Sequence, residues 1–378
     1  MTSVFAILND HCGIVLTVCF VLIAAFHAWS WHEDQLLAQK IVSKFWQKPN
    51  LNSKPRIAIL VAAWNEAEII EEHIRSVISL RYPNKEYILC AGGNDETFEI
   101  ARRFSGPNVN ILQQRAHQGK QHSLQSCLDA TSAEIIYLTD ADCLLDDENF
   151  ERVIEPLINM DEAVVTGTSQ PLRLQQQHPF VMHRWFTDIY SQARWGTYIT
   201  GILGRNVAIQ RRALISSGAF LSDVRTGTDY ILAKRVLEQG YRIRYVASSN
   251  VETSYSIEFR AYQRRELRWL RNVAMHGLRH GAFLEVARSL MTSVVGLGML
   301  AWGLWGIIAG GLALCLWLAV FGHVLLSRMR YMRFGEIITK KEFPKFALFW
   351  LPVYTLCDFA IWASALVQYP VRSWRTRW

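Results

Sequence analysis

Aspartate, glutamate, lysine and arginine are absent from Gly13 to Trp31 and again from Ser289 to Leu326. The first stretch, GIVLTVCFVLIAAFHAWSW, has 19 residues, enough helix to cross a bilayer core. The second has 38, too many for one crossing and suited to two joined near Gly310 and Gly311. Residues 1–12 also lack lysine and arginine and no small-x-small site follows, which argues against a cleaved signal peptide. No Cys-x-x-Cys pair occurs among the seven scattered cysteines, an odd number, so neither a disulfide framework nor a zinc site is indicated and a reducing compartment is expected. His276 and His280 stand four apart without a third ligand, and an interfacial helix accounts for them better than a metal does. Internal repeats and low-complexity segments are missing as well.

What is present is concentrated near the ends. The hydrophobic fraction of 51% and the mean hydropathy of +0.08 are high for a soluble enzyme. A net charge of +7 is gathered beside the apolar stretches, where lipid headgroups would meet it, so a bilayer rather than nucleic acid is the expected partner. Lys40, Lys44, Lys48, Lys54 and Arg56 place the segment after the first span in the cytoplasm by the positive-inside rule. Between residues 56 and 256, β-branched runs such as IAILVAA, EYILCAG and EIIYLTD alternate with helical patterns such as EAEIIEEHIRSVISL. That alternation predicts an α/β domain, a mostly parallel sheet with helices on both faces. The expected organisation is a transmembrane helix over 1–31, a basic linker over 32–55, a catalytic domain over 56–256 and amphipathic interfacial helices over 257–288. A transmembrane hairpin over 289–326 and a basic cytoplasmic loop over 327–345 follow. Residues 346–378 then form a transmembrane or re-entrant segment with a cytoplasmic SWRTRW tail. The re-entrant form is expected to break near Pro352, with Asp358 facing protein or water. Tryptophans near the apolar ends fit membrane interfaces.

Three local patterns carry chemistry. Thr139-Asp140-Ala141-Asp142 follows the buried-looking run EIIYL, and two carboxylates at i and i+2 on a strand end can hold a hard divalent cation. A solvated loop is the alternative, since Asp146 and Asp147 lie close by. Arg225-Thr226-Gly227-Thr228-Asp229 precedes the helical YILAKRVLEQG, where Asp229 could be a reactive carboxylate or a helix cap. In Arg265-Glu266-Leu267-Arg268-Trp269 a guanidinium beside an indole could grip a diphosphate or anchor in headgroups.

Taken together and in order, these segments resemble the membrane-integral family 2 glycosyltransferases: ceramide glucosyltransferases and the hyaluronan, chitin and cellulose synthases. The resemblance runs from about residue 56 to 272 through AAWNEAEIIEEHIRSVISLRYP, GNDET, GKQHSLQSCLDATSAEIIYLTDADC, LGRNVAIQRRALISSGAF, GTDYILAKRVLEQGYRIRYV and RELRW. It implies a GT-A-type fold and an inverting displacement. Asn65 and Glu66 would belong to the nucleotide-sugar site, Asp95 would meet the uridine and Lys120 the diphosphate. Asp142, assisted by Asp140, would hold Mg2+ or Mn2+. Asp229 would be the general base, and Arg265, Arg268 and Trp269 would close over the leaving diphosphate and the acceptor.

Three departures qualify this. Ala91 stands where many relatives have a carboxylate toward the base, Thr228 replaces the usual Glu before Asp229, and Arg265 opens the last motif as in ceramide glucosyltransferases. The resemblance thus implies a multi-pass membrane enzyme, in a bacterial inner membrane, moving a hexose or N-acetylhexosamine from a UDP-sugar to a lipid. A processive polysaccharide synthase acting on a glycan is the alternative, one that would need a homo-oligomer or partners for a channel; an inactive scaffold is the remaining option.

Overall fold

The computed structural model describes residues 12–45, 48–116, 118–220 and 227–371. Arg225, Thr226 and the SWRTRW tail therefore lie outside the described residues. The chain divides into two compact units, one of residues 44–177 with 194–255, the other of residues up to 43, 178–193 and 256–377.

The helix α1 (Cys12–Phe45) opens the second of these units, and the first then begins with β1 (Ile57–Trp64), α2 (Ile70–Ser79), β2 (Lys85–Gly92), α3 (Thr97–Arg102) and β3 (Val109–Gln113). It continues through α4 (Gly119–Asp129), β4 (Ile135–Leu138), β5 (Cys143–Leu144), α5 (Asp147–Asn159) and β6 (Val164–Pro171). After α6 (Pro179–Gln192), which belongs to the other unit, come β7 (Tyr198–Ile199), β8 (Val207–Gln210), α7 (Arg211–Ser216), α8 (Thr228–Glu238) and β9 (Ile243–Thr253).

Nine strands form one sheet in the order β3-β2-β1-β4-β8-β6-β9-β5, with β7 on β9. The expected parallel pairing holds for β3, β2, β1 and β4, which helical crossovers connect. Beyond β4 the sheet is mixed, because β8 enters antiparallel to both β4 and β6. Burial follows the period of two that a strand covered on both faces requires. Ile57, Ile59, Val61 and Ala63 pack in one core with Ile70, Ile74 and Val77 of α2, while Ala58 and Leu60 pack in the other with Leu124, Cys127 and Leu128 of α4. Each fully buried aliphatic contributes about 1.5–3 kcal/mol. This two-sided core brings the ends of β1, β2 and β4 to one edge.

The second unit adds α9 (Phe259–Arg279), α10 (Phe283–Ala309), α11 (Gly311–Thr339) and α12 (Leu351–Val371) to α1 and α6. Among the described residues three helical segments are long and apolar enough to cross a membrane: Phe283–Ala309, Gly311–Thr339 and Lys345–Leu366. The expected turn at Gly310 and Gly311 is there, both at positive φ (64° and 52°), a conformation that glycine adopts without strain. Small buried residues Ser289, Ser293 and Gly296 on α10 allow close helix approach, and a side chain at Gly296 would press on the α12 backbone at Phe359.

Three expectations change. The re-entrant path broken near Pro352 is replaced by a continuous α12 after a 3₁₀ turn at Lys345–Trp350; Pro352 sits in the first helical turn, where its missing N–H leaves no helical bond unmade. The basic stretch after residue 326 is helical to Thr339 rather than a loop. Helix α6, in the middle of the expected catalytic domain, clusters with the membrane-type helices, its Tyr190 stacked on Tyr331 of α11 at 3.8 Å.

Charge inside this unit is paired. Asp358 is 2% exposed and accepts from Tyr262 at 2.7 Å and from Arg328 at 2.9 Å, so it faces protein. Arg184 of α6 joins Glu266 of α9 at 3.0 Å and lies over the Tyr262 ring. Asp34 of α1, just past the uncharged stretch, receives both Nε and Nη2 of Arg330 at 3.0 and 2.6 Å, and Tyr190 bridges them. Removing one partner of so buried a pair strands the other. Arg330→Met should therefore lower stability in detergent by about 3–5 kcal/mol. The double variant Asp34→Leu with Arg330→Met should recover most of that loss, measured as thermal unfolding; equal loss in single and double variants would contradict the pairing account.

Candidate active site

Asn65 ends β1 in the left-handed region (φ 60°), which asparagine tolerates, and its Oδ1 accepts the Asn94 N–H at 2.7 Å. The next residue, Glu66, donates its N–H to Thr97 Oγ1 at 2.7 Å. Asp95 is exposed, and its carboxylate accepts from Ala67 N at 3.2 Å and from Thr97 N and Oγ1 at 3.1 and 2.6 Å. Burial would raise its pKa, but these hydrogen bonds outweigh it and hold the carboxyl below its ordinary value. Asn65, Glu66 and Asp95 thus knit the loops after β1 and β2 together.

The Asp140-Ala141-Asp142 turn joins β4 to β5 and is held from below by α2. His73, fully buried, makes a 2.5 Å bond from Nδ1 to the Cys143 carbonyl, and Ser76 Oγ accepts the Leu145 N–H at 3.1 Å. Burial depresses the His73 pKa to about 4, so the ring is neutral and donates at Nδ1. Asp146 caps α5 through the Asn149 N–H, and Asp147 pairs with Arg81 at 2.7 Å. Those two acids have structural work, unlike Asp140 and Asp142, whose partners lie within the site itself.

Lys120, in the first turn of α4, meets Asp140 at 2.5 Å. Burial opposes ionisation of Asp140, yet Lys120 and then Arg205 outweigh it and lower its pKa. Asp142 moves up, first through burial and next through repulsion from Asp140. Its Oδ2 accepts from Thr253 Oγ1 at 3.2 Å, and that hydroxyl accepts from Arg205 Nη1 at 3.4 Å. Glu66 is pushed to about 7 by burial first, then by Asp142, Asp140 and Asp95.

Asp229 does not cap its helix. The N-cap of α8 is Gly227 (φ 78°), and Asp229 lies in the first turn with its Oδ1 accepting from Thr228 Oγ1 at 3.1 Å. Its carboxylate rests against Gly204, where a Cβ would collide with it. Lys120, Thr139, Gly204 and Asp229 line one pocket, backed by Leu124 and Leu232. The structure therefore brings Asn65, Glu66, Asp95, Lys120, Asp140, Asp142 and Asp229 to one edge of the catalytic sheet. Arg265, Arg268 and Trp269 lie on α9 in the other unit; Arg265 is half-buried, Arg268 exposed and Trp269 59% exposed.

Two contributors were not read from the sequence. His73 falls in the i, i+3, i+4, i+7 stripe of Ile70, Ile74 and Val77, a signal of burial rather than of function. Arg205 stands directly before the buried Asn206 and β8, and nothing in the sequence tells that it faces Asp140 and Asp142.

Among the described residues no group of three or more His, Cys, Asp or Glu side chains is arranged to hold a metal unaided. The charge pattern still fits a divalent cation whose remaining ligands come from a bound diphosphate. Asp142 and Glu66 both have raised pKa values, first through burial and then through the carboxylates beside them, Asp140 for Asp142 and Asp142, Asp140 and Asp95 for Glu66, a field that a divalent ion would relieve.

Residues 55–272 match the family described as glycosyltransferase like family 2. A β-monoglucosyldiacylglycerol synthase of Trichormus variabilis is 26% identical over 239 residues, 57% of this chain and 51% of that protein. A poly-β-1,6-N-acetyl-D-glucosamine synthase of Staphylococcus epidermidis is 33% identical over 94 residues, 24% of this chain and 23% of that one. The chain thus spans about half the length, or less, of these relatives. The solved mannosyltransferase PcManGT of Pyrobaculum calidifontis, in complex with GDP-Man and Mn2+, shares the fold, with a TM-score of 0.55 at 18% identity over 95% of this chain and 99% of that one.

Glu66 yields a test in pH. In the fold it keeps its proton up to about 7, whereas an unperturbed carboxyl releases it near 4.5. Over that window the folded state binds more protons than the unfolded, so stability falls as pH rises. Glu66→Gln should melt higher than the wild type at pH 8, with the difference closing toward pH 5. A constant difference across that range would show that Glu66 is not crowded.

Proposed function

We propose, for a chain that belongs to the family 2 glycosyltransferases, that it transfers a hexose or N-acetylhexosamine from a UDP-sugar to a lipid acceptor at the cytoplasmic face of a membrane, inverting the anomeric centre. The observation that carries this reading is Asp229, free of any capping bond, facing Lys120 and Thr139 across one pocket. The acceptor hydroxyl would lose its proton to Asp229 as its oxygen bonds the anomeric carbon. The bond to the diphosphate breaks at the same time, and the diphosphate departs with the electron pair.

Lys120 would bind the diphosphate, and Asp142 with Asp140 would hold Mg2+ or Mn2+. Such a cation, when bound, supplies charge neutralisation at the leaving group. Asn65, Glu66 and Asp95 would line the nucleoside side, with the base left open by Ala91. Arg265, Arg268 and Trp269 would act on the diphosphate and acceptor, as their motif implies.

Three long apolar helices and the likeness to a glycolipid synthase support a lipid acceptor. A continuous α12, in a segment long and apolar enough to cross, supports a crossing over a re-entrant path, and a crossing would carry the SWRTRW tail away from the catalytic face. The likeness to a poly-N-acetylglucosamine synthase supports a second reading, processive polymer synthesis.

Purified protein in detergent, given radiolabelled UDP-sugars and membrane lipid, should pass label into organic solvent; label held in high polymer would favour the second reading. EDTA should abolish transfer and Mg2+ or Mn2+ restore it, whereas full activity in chelator would remove the metal. Asp229→Asn should reduce turnover by about 10²–10⁴ while UDP binding survives. A near-normal rate in that variant would contradict its role as base.

A further inference from the structure

The loop before β8 is held rigidly. Asn206 is fully buried, donating from Nδ2 to the Thr168 carbonyl at 3.0 Å and the Ser249 carbonyl at 3.1 Å, while its Oδ1 accepts from Tyr137 at 3.0 Å. Arg205, the preceding residue, thereby has its backbone held in place beside the site. Its guanidinium reaches the Thr253 hydroxyl, and the same hydroxyl donates to Asp142. On the other side the Lys120 ammonium sits on Asp140. Asp140 therefore has a cation bonded to it within the catalytic unit, and Asp142 is tied to one through the Thr253 hydroxyl.

Both kinds of partner are exchangeable. Phosphate oxygens are strong acceptors for guanidinium and ammonium, and a hard divalent cation competes for the carboxylates they would leave. Neither exchange is favourable alone. Metal entering first would stand beside two displaced cations, and diphosphate entering first would leave Asp140 and Asp142 crowded and unneutralised.

We propose that Lys120 and Arg205 are internal counterions of Asp140 and Asp142, drawn onto the diphosphate when the donor binds, so that the divalent cation is held firmly only together with the nucleotide. This inference rests on the metal-dependent reading above and adds Arg205 to the residues that contact the donor. Linkage makes the coupling reciprocal: UDP binds more tightly with metal by the factor that metal gains from UDP.

The experiment is Mn2+ binding by the full-length protein in detergent, read by titration calorimetry and by the loss of the free-ion paramagnetic resonance signal, with and without UDP. Wild type should bind Mn2+ about tenfold or more tightly with UDP. Removing a counterion should strengthen binding of Mn2+ alone, so Arg205→Met is expected to raise the nucleotide-free affinity about tenfold while weakening UDP, and Arg205→Lys to restore the wild-type values in part. Lys120→Met, at a side chain 37% exposed, carries the same expectation and keeps the test decisive should the Arg205 variant fail to fold. If both folded variants bind Mn2+ alone no better than the wild type, the counterion role is overturned while the metal-dependent reading stands. Absence of Mn2+ binding with UDP present would overturn both.

Discussion

The catalytic unit depends on one constraint: carboxylates crowd the edge where β1, β2 and β4 end, and Lys120 and Arg205 are the cations that act on the central pair. Glu66, Asp140 and Asp142 lie near enough to move one another's protonation, and Asp229 adds to the field at Lys120. Such a cluster is unfavourable unless something positive shares it. In the proposed function, a nucleotide diphosphate with its divalent ion would supply both the positive charge and the oxygens that the cluster lacks. The fold supports this by fixing the surroundings with bonds that carry no net charge: neutral His73 on the Cys143 carbonyl, Ser76 on Leu145, and the Asn206 amide across three strands.

The other unit solves a related problem by pairing. Its buried ions meet partners on different helices: Asp34 with Arg330 between α1 and α11, Asp358 with Arg328 between α12 and α11, Arg184 with Glu266 between α6 and α9. Where the catalytic edge leaves negative charge for a ligand to answer, Asp34 and Asp358 are each answered by an arginine of α11. Helix α6 shows how the two units alternate along the chain. Its flanking residues belong to the catalytic unit, while its Tyr190 stacks on Tyr331 and its Arg184 bonds Glu266 in the other.

The sequence made the catalytic half legible wherever period and position agree. Buried runs marked β1, β2 and β4, and the acids after them fell at the strand ends, where an α/β sheet binds ligands. Asp229 as cap or reactive group stayed open from sequence, because capping depends on a backbone angle; Gly227 turned out to take the cap. Arg205 was invisible, since its meaning lies in a contact across the sheet with Thr253, whose hydroxyl reaches Asp142. Pro352 pointed to a break because a proline's effect depends on where the helix starts, and here it falls in the first turn. The apolar composition of residues 346–369 marks a membrane-type segment, but not that it forms one continuous helix after a 3₁₀ turn. Helix α6 reads as part of an alternating α/β pattern and gives no local sign that it packs elsewhere.

The central claim is that the carboxylate pair receives a divalent cation together with a nucleotide diphosphate. The direct measurement is anomalous diffraction from crystals grown with UDP and Mn2+, collected above the manganese absorption edge. The account predicts a single strong peak bonded to the Asp142 carboxylate and to diphosphate oxygens, with Lys120 and Arg205 turned from Asp140 and Thr253 onto the phosphates. Ordered UDP with no manganese at Asp142, or manganese bound elsewhere while Lys120 stays on Asp140, would contradict it.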